Sequence, residues 1–165
     1  MKIALAGHVG SGKSTIAEEL SNKGFYLLSY TELIKEEVAD AMVAVGVTKD
    51  EKEALNNIHK DKEFYRPLLI SWADATGWST GERLKKILPV LTEENIVLDN
   101  VRFLKQAEIV KEVGFKLIKL EGGESIGEAY DEEFANYQFD AVIPWMENVE
   151  KRVEYILQVL DELKK

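Results

Sequence analysis

The chain has 165 residues, 45% hydrophobic and 31% charged, a composition that suits one globular domain with a sizeable core and not a disordered or fibrous chain. Its net charge of -9 argues against a general nucleic-acid binder, because a phosphate backbone calls for a basic face. There is no cysteine, which excludes disulfide frameworks and cysteine-ligated zinc, and no apolar stretch is long enough to span a bilayer.

In chain order, the apolar run 2–6 (KIALA) ends on Gly7 and is expected to be a buried strand; it is too short for a signal peptide, so the expectation is a soluble, cytoplasmic protein. Residues 14–23 carry Ile16, Ala17 and Leu20 at helical spacing and stop at Gly24. FYLLS (25–29) is a second strand, and 31–45 a helix with Leu33, Ile34, Val38, Ala41, Met42 and Val45 on one face. The charge-dense stretch 46–62 is expected to be a connection with a short helical turn. A helix resumes at Glu63, with Pro67 tolerable only in its first turn. Ser79 and Glu82 have capping-box spacing and open another helix. NIVLDN (95–100) is a strand, 102–113 a helix stopped by Gly114, FKLIKLE (115–121) a strand, DAVIP (140–144) the last strand and 146–164 a terminal helix. Strands alternating with helices, several strands apolar throughout, predict an α/β fold with a mostly parallel five-stranded sheet covered on both faces, in a single domain over 1–165.

Gly7-His8-Val9-Gly10-Ser11-Gly12-Lys13-Ser14 matches G-x-x-x-x-G-K-[ST] in full, between the first strand and the first helix. Glycines let successive backbone N–H groups curl round phosphates, and the helix N-terminus adds its dipole. Gly7, Val9, Gly10, Ser11, Gly12, Lys13, Ser14 and Thr15 are therefore the expected ATP-binding residues. Lys13 would reach the β- and γ-phosphates and the Ser14 hydroxyl would ligate Mg²⁺. His8 occupies a spacer position. An N-K-x-D guanine-reading motif is absent and IVLDN offers one acid where larger ATPases place two, so a small-molecule kinase suits the chain best. In that architecture the helical segment after the second strand, about 30–80, covers the acceptor, and a later loop closes as a lid.

LLSYTELIKEEVADAMVAVG (27–46), YRPLLISWADATGW (65–78), VLDNVRFLKQAEIVKEVGFKLIKLE (97–121) and FDAVIPWMENVEKRVEYIL (139–157) together resemble the phage-type deoxynucleoside monophosphate kinases, within the P-loop nucleotide-kinase group. The resemblance implies a three-layer P-loop kinase fold, ATP as phosphoryl donor with Mg²⁺, a nucleotide acceptor and a possible homodimer. It sets Lys35 on the family's acceptor-side lysine, with Ile34 intervening, and Arg66 on an arginine whose following glutamine is absent. Trp145 falls in the turn that contacts adenine. In the usual register Asn100, not Asp99, falls on the family acid, and Gln106 on a following glutamate. The lid normally supplies an arginine, whereas residues 121–138 contain no Lys or Arg.

Bringing two anionic phosphates together needs converging cations more than covalent chemistry. The chain has four arginines. Arg102, just past a central strand, stands where ligands collect in open α/β sheets, and Arg66 where the acceptor-covering helix begins. Arg83, on a lysine-rich helix, and Arg152, among Glu147, Glu150 and Glu154, read as solvated. Asp99 suits a water-mediated Mg²⁺ contact, a base for a hydroxyl acceptor, or a cap for the following helix. Lys35 suits an acceptor contact or a surface pair with nearby glutamates. Tyr30, Trp72 and Trp78 could stack on an acceptor base or belong to the core. The favoured expectation is phosphorylation of a (deoxy)nucleoside monophosphate by catalytic Lys13, Arg102, Asp99 and Arg66. The alternatives are a kinase of a hydroxyl acceptor, such as a nucleoside, a modified base in DNA or a dephospho-coenzyme A-like molecule, and a nucleotide-binding regulator without turnover.

Overall fold

The computed structural model describes residues 1–123, 134 and 136–164. Most of the expected lid, residues 124–133 and 135, lies outside the described residues. The chain divides into two compact units, Met1–Leu28 with Leu84–Lys165, and Ser29–Arg83.

The first unit carries five strands, β1 (Lys2–Ala6), β2 (Tyr26–Leu28), β3 (Ile96–Val101), β4 (Lys116–Leu120) and β5 (Ala141–Ile143), in the order β2-β3-β1-β4-β5. Every pairing is parallel. Parallel pairing requires crossovers, and the helices that make them cover both faces, so central strands are apolar on both sides. β1 and β3 accordingly have no exposed residue, Ile3, Leu5 and Val97 contributing to the same cluster as Ile118, Leu120 and Ile143. Onto this face pack α1 (Lys13–Asn22) through Ile16, Ala17 and Leu20, and the C-terminal helix through Val153, Ile156 and Leu160. A helix at Leu104–Glu112 packs against β4. The β1–β3 register jumps from Ala4↔Leu98 to Ala6↔Val101, leaving one extra residue on β3 at Asp99–Asn100. Such a bulge bends the strand end and re-aims its side chains.

The second unit is helical: α2 (Tyr30–Ala44), α3 (Glu51–Lys60), α4 (Lys62–Thr76) and the start of α5 (Glu82–Ile87). Val38, Ala39 and Met42 of α2 pack against Ala54 and Ile58 of α3, flanked by Tyr65, Leu69 and Trp72 of α4. The expected connection at 46–62 is thus largely a ten-residue helix. Its start is fixed by Asp50, whose carboxylate accepts the Glu53 N–H at 2.8 Å, while the Glu53 carboxylate accepts the Lys49 N–H at 3.0 Å.

Other boundaries also differ from expectation. Asp61 caps α4 earlier than Glu63, so Pro67 lies in the helix interior, beyond the first turn. α5 begins at Glu82, so Ser79 stands ahead of its N-cap position, with its hydroxyl donating to the Asp74 carboxylate. α6 is Leu104–Glu112 and α7 is Val149–Glu162, the latter capped by Asn148, whose side chain accepts the Lys151 N–H at 2.9 Å.

Candidate active site

The G-x-x-x-x-G-K-[ST] segment leaves the C-terminal end of β1 and enters α1 at Lys13. Gly10 (φ 78°) and Gly12 (φ 86°) adopt left-handed backbone, which an L side chain resists and which lets the loop curl. The Lys13 ammonium donates to the carbonyls of Gly7 at 2.7 Å and His8 at 2.8 Å, which folds it back across the loop. Ser14 and Thr15 are exposed in the first turn of α1, and Ser11 is fully buried. Together these set an ammonium and a helix N-terminus on one curled backbone segment, an arrangement suited to a polyphosphate.

Beside it, Ala6 of β1 pairs with Val101 of β3, so the loop starts next to the segment 99–102. Asp99 is buried within β3 at 6% exposure, which removes the reading of it as a helix cap. The turn into α6 is held instead by Gln106, whose side-chain oxygen accepts the N–H groups of Arg102 at 3.0 Å and Phe103 at 3.3 Å. Gln106 is itself fully buried, where a neutral amide meets two N–H donors without the desolvation penalty of a carboxylate. Arg102 precedes the helix instead of opening it. It is exposed, and its Nε donates to the Asn100 side chain at 3.3 Å. β1 and β3 flank the point where the strand order reverses, the place where open parallel sheets hold ligands.

Trp145, after β5, is half exposed, with its ring against Gly122 and 5.2 Å from the Arg152 guanidinium. Arg152 is not on a solvated face: it is 2% exposed, and donates from Nη1 to the Ser11 carbonyl and from Nη2 to the Glu121 carbonyl, each at 2.7 Å. Burial holds its guanidinium below the ordinary arginine value, offset by Glu121. Sequence reasoning missed this residue. The available signal was its spacing, since 152, 156 and 160 fall on one helical stripe with Ile156 and Leu160.

In the second unit, Lys35 is buried and bonded to Glu32 at 2.6 Å, with His59 3.2 Å from the other Glu32 oxygen. Arg66 is exposed and pairs with Glu63 at 3.1 Å. Tyr30 is buried and stacks on Trp78, their centroids 6.0 Å apart. Trp72 and Trp78 donate their indole N–H groups to Glu37 at 2.9 and 3.1 Å, and Arg83 bonds the other Glu37 oxygen. Arg83 is therefore paired, not solvated. Desolvation pushes the Glu37 carboxyl upward, but donation from Trp72, Trp78 and Arg83 overcomes it, and it titrates below the ordinary 4.5.

No family model matches the chain, and no curated protein sequence does so. Solved structures are similar. A shikimate kinase from Bacteroides thetaiotaomicron superposes with a TM-score of 0.51 at 15% identity, covering 98% of this chain and 98% of that one. A gluconokinase from Sinorhizobium meliloti superposes with a TM-score of 0.50 at 14% identity, covering 98% of this chain and 92% of that one. The chain has the three-layer α/β fold of these P-loop kinases, with a parallel five-stranded sheet.

Proposed function

We propose that this protein is an ATP-dependent kinase that phosphorylates a nucleoside or deoxynucleoside monophosphate to the diphosphate. The observation that carries the donor half is the complete phosphate-binding loop at the end of β1, with Asp99 and Arg102 at the end of the adjacent strand β3. That the structurally similar proteins are named as kinases of shikimate and gluconate supports small-molecule phosphoryl transfer in general. The acceptor assignment rests on the family resemblance of the helical segment 29–83 and on the cations it carries, Lys35 and Arg66.

In this reading Gly7–Thr15 hold the triphosphate, with Trp145 beside the adenine. Lys13 neutralises the γ-phosphoryl oxygens, and Arg102 and Arg66 offset the repulsion between donor and acceptor phosphates. A monophosphate oxygen is already a nucleophile, so no strong base is needed. Ser14, exposed in the first turn of α1, and Asp99, buried at the end of β3, offer a hydroxyl and a carboxylate, hard oxygen donors that fit Mg²⁺. Among the described residues no cluster of three or more His, Cys, Asp or Glu could hold a metal. This fits an ion carried largely by phosphates and water, which would neutralise charge on the transferring group.

A panel of nucleoside and deoxynucleoside monophosphates with ATP and Mg²⁺, read by ADP release, tests the proposal; no acceptor-dependent turnover on any of them would sink it. The burial of Asp99 supports one other reading, a hydroxyl acceptor with Asp99 as its base. Asp99→Asn separates the two. With a monophosphate acceptor it should raise the Mg²⁺ requirement while retaining measurable turnover, and with a hydroxyl acceptor it should lower kcat by roughly 100-fold or more.

A further inference from the structure

We propose that Arg152 is a positioning residue of the phosphate-binding loop, holding it from behind in the shape that receives a polyphosphate. This rests on the reading of Gly7–Ser14 as the donor site. Arg152 reaches from α7 to the Ser11 carbonyl, at 2.7 Å, in the middle of the loop. In a trans peptide the carbonyl and the following N–H point to opposite sides. Fixing the Ser11 carbonyl on the guanidinium therefore aims the Gly12 N–H away from Arg152, as a phosphate donor.

Two further contacts close the arrangement. The second arm of the guanidinium takes the Glu121 carbonyl, and Trp145 covers its face. Gly123, two residues past Glu121, lies directly on the loop: a Cβ there would stand 2.2 Å from the Val9 carbonyl oxygen and 2.7 Å from the Ser11 nitrogen. α7 thus holds Ser11, and the segment 121–123 packs on Val9 to Ser11. No ion pair to Arg152 occurs among the described residues, although it is 2% exposed. A buried cation without a paired carboxylate is costly, and an anion seated on the loop would offset that cost.

Calorimetric titration of ATP and of inorganic triphosphate into the wild type, Arg152→Lys, Arg152→Met and Gly123→Ala tests the assignment. The stoichiometry reports how much protein is folded, and Kd reports the shape of the loop in the folded fraction. Kd should rise about tenfold in Arg152→Lys, which keeps the charge and one donor, and about 100-fold in Arg152→Met, for both ligands. Gly123→Ala, whose Cβ would strike the loop directly, should also weaken both and gives the scale of a displaced loop; if Arg152→Met does not fold, Arg152→Lys decides the matter. An unchanged Kd in the folded fraction of either Arg152 variant would overturn the proposal. Wild-type protein that binds neither ligand overturns the donor-site reading and this assignment with it. Because the readout is binding, a wrong acceptor leaves the test intact.

Discussion

The Lys13 ammonium donates to the Gly7 and His8 carbonyls, which hold its charge over the loop. A phosphate group competes well with carbonyls for an ammonium, since it presents a full negative charge where a carbonyl presents only a dipole. Lys13→Met keeps most of the length and removes the charge, and should lower kcat by roughly 100-fold or more in steady-state assays. A kcat within tenfold of wild type would remove Lys13 from the chemistry. The loop's conformation was legible because it depends on the local spacing of its glycines. Arg152 was not, because its acidic neighbours Glu150 and Glu154 suggested a solvated face while its partners, Ser11 and Glu121, lie far away in sequence. Tyr30 and Trp78 were equally ambiguous in one dimension. Their stacking and near-complete burial make them core residues, whereas Trp72 is only partly covered.

At the scale of elements, all five strands were readable as short apolar runs bounded by glycine or polar residues. α3 was not, since Ala54, Leu55 and Ile58 are too few to make a periodic stripe in so charged a segment. Its Asp50 and Glu53 were the usable signal, a cap three residues before a glutamate. The ambiguity between Asp99 and Asn100 has a physical origin in the β3 bulge, which interrupts the alternation on which sequence register depends. α2, α4 and α5 meet at Glu37, through Trp72, Trp78 and Arg83, a contact set no local pattern reveals. Because the Glu37 carboxyl titrates below its ordinary value in the folded protein, its contribution to stability is present above pH 4.5 and is lost as pH falls through the lower folded value. Glu37→Gln should cost about 1–3 kcal/mol at pH 7 and flatten the acid side of the stability profile. Thermal melts from pH 3 to 7 check this, and parallel profiles for the two proteins would show that Glu37 does not carry the acid sensitivity.

At the scale of the whole molecule, a net charge of -9 is compatible with the proposed polyanion site because binding depends on local groups and not on the total. The proposed division of labour is also a division of the chain: donor residues lie in Met1–Leu28 and Leu84–Lys165, and the acceptor residues Lys35, Arg66 and Trp72 in Ser29–Arg83. A ligand that binds only the folded state stabilises it by about 2.7 kcal/mol at 100 times Kd, which for a chain of this size raises Tm by roughly 5–10 °C. ATP with Mg²⁺ should produce such a shift. Amide hydrogen exchange then locates it: ATP should protect the loop 7–15 and the segment 99–102, while a monophosphate acceptor should add protection within 29–83. Protection by the monophosphate confined to the first unit would place the acceptor elsewhere and remove Lys35 and Arg66 from the reaction.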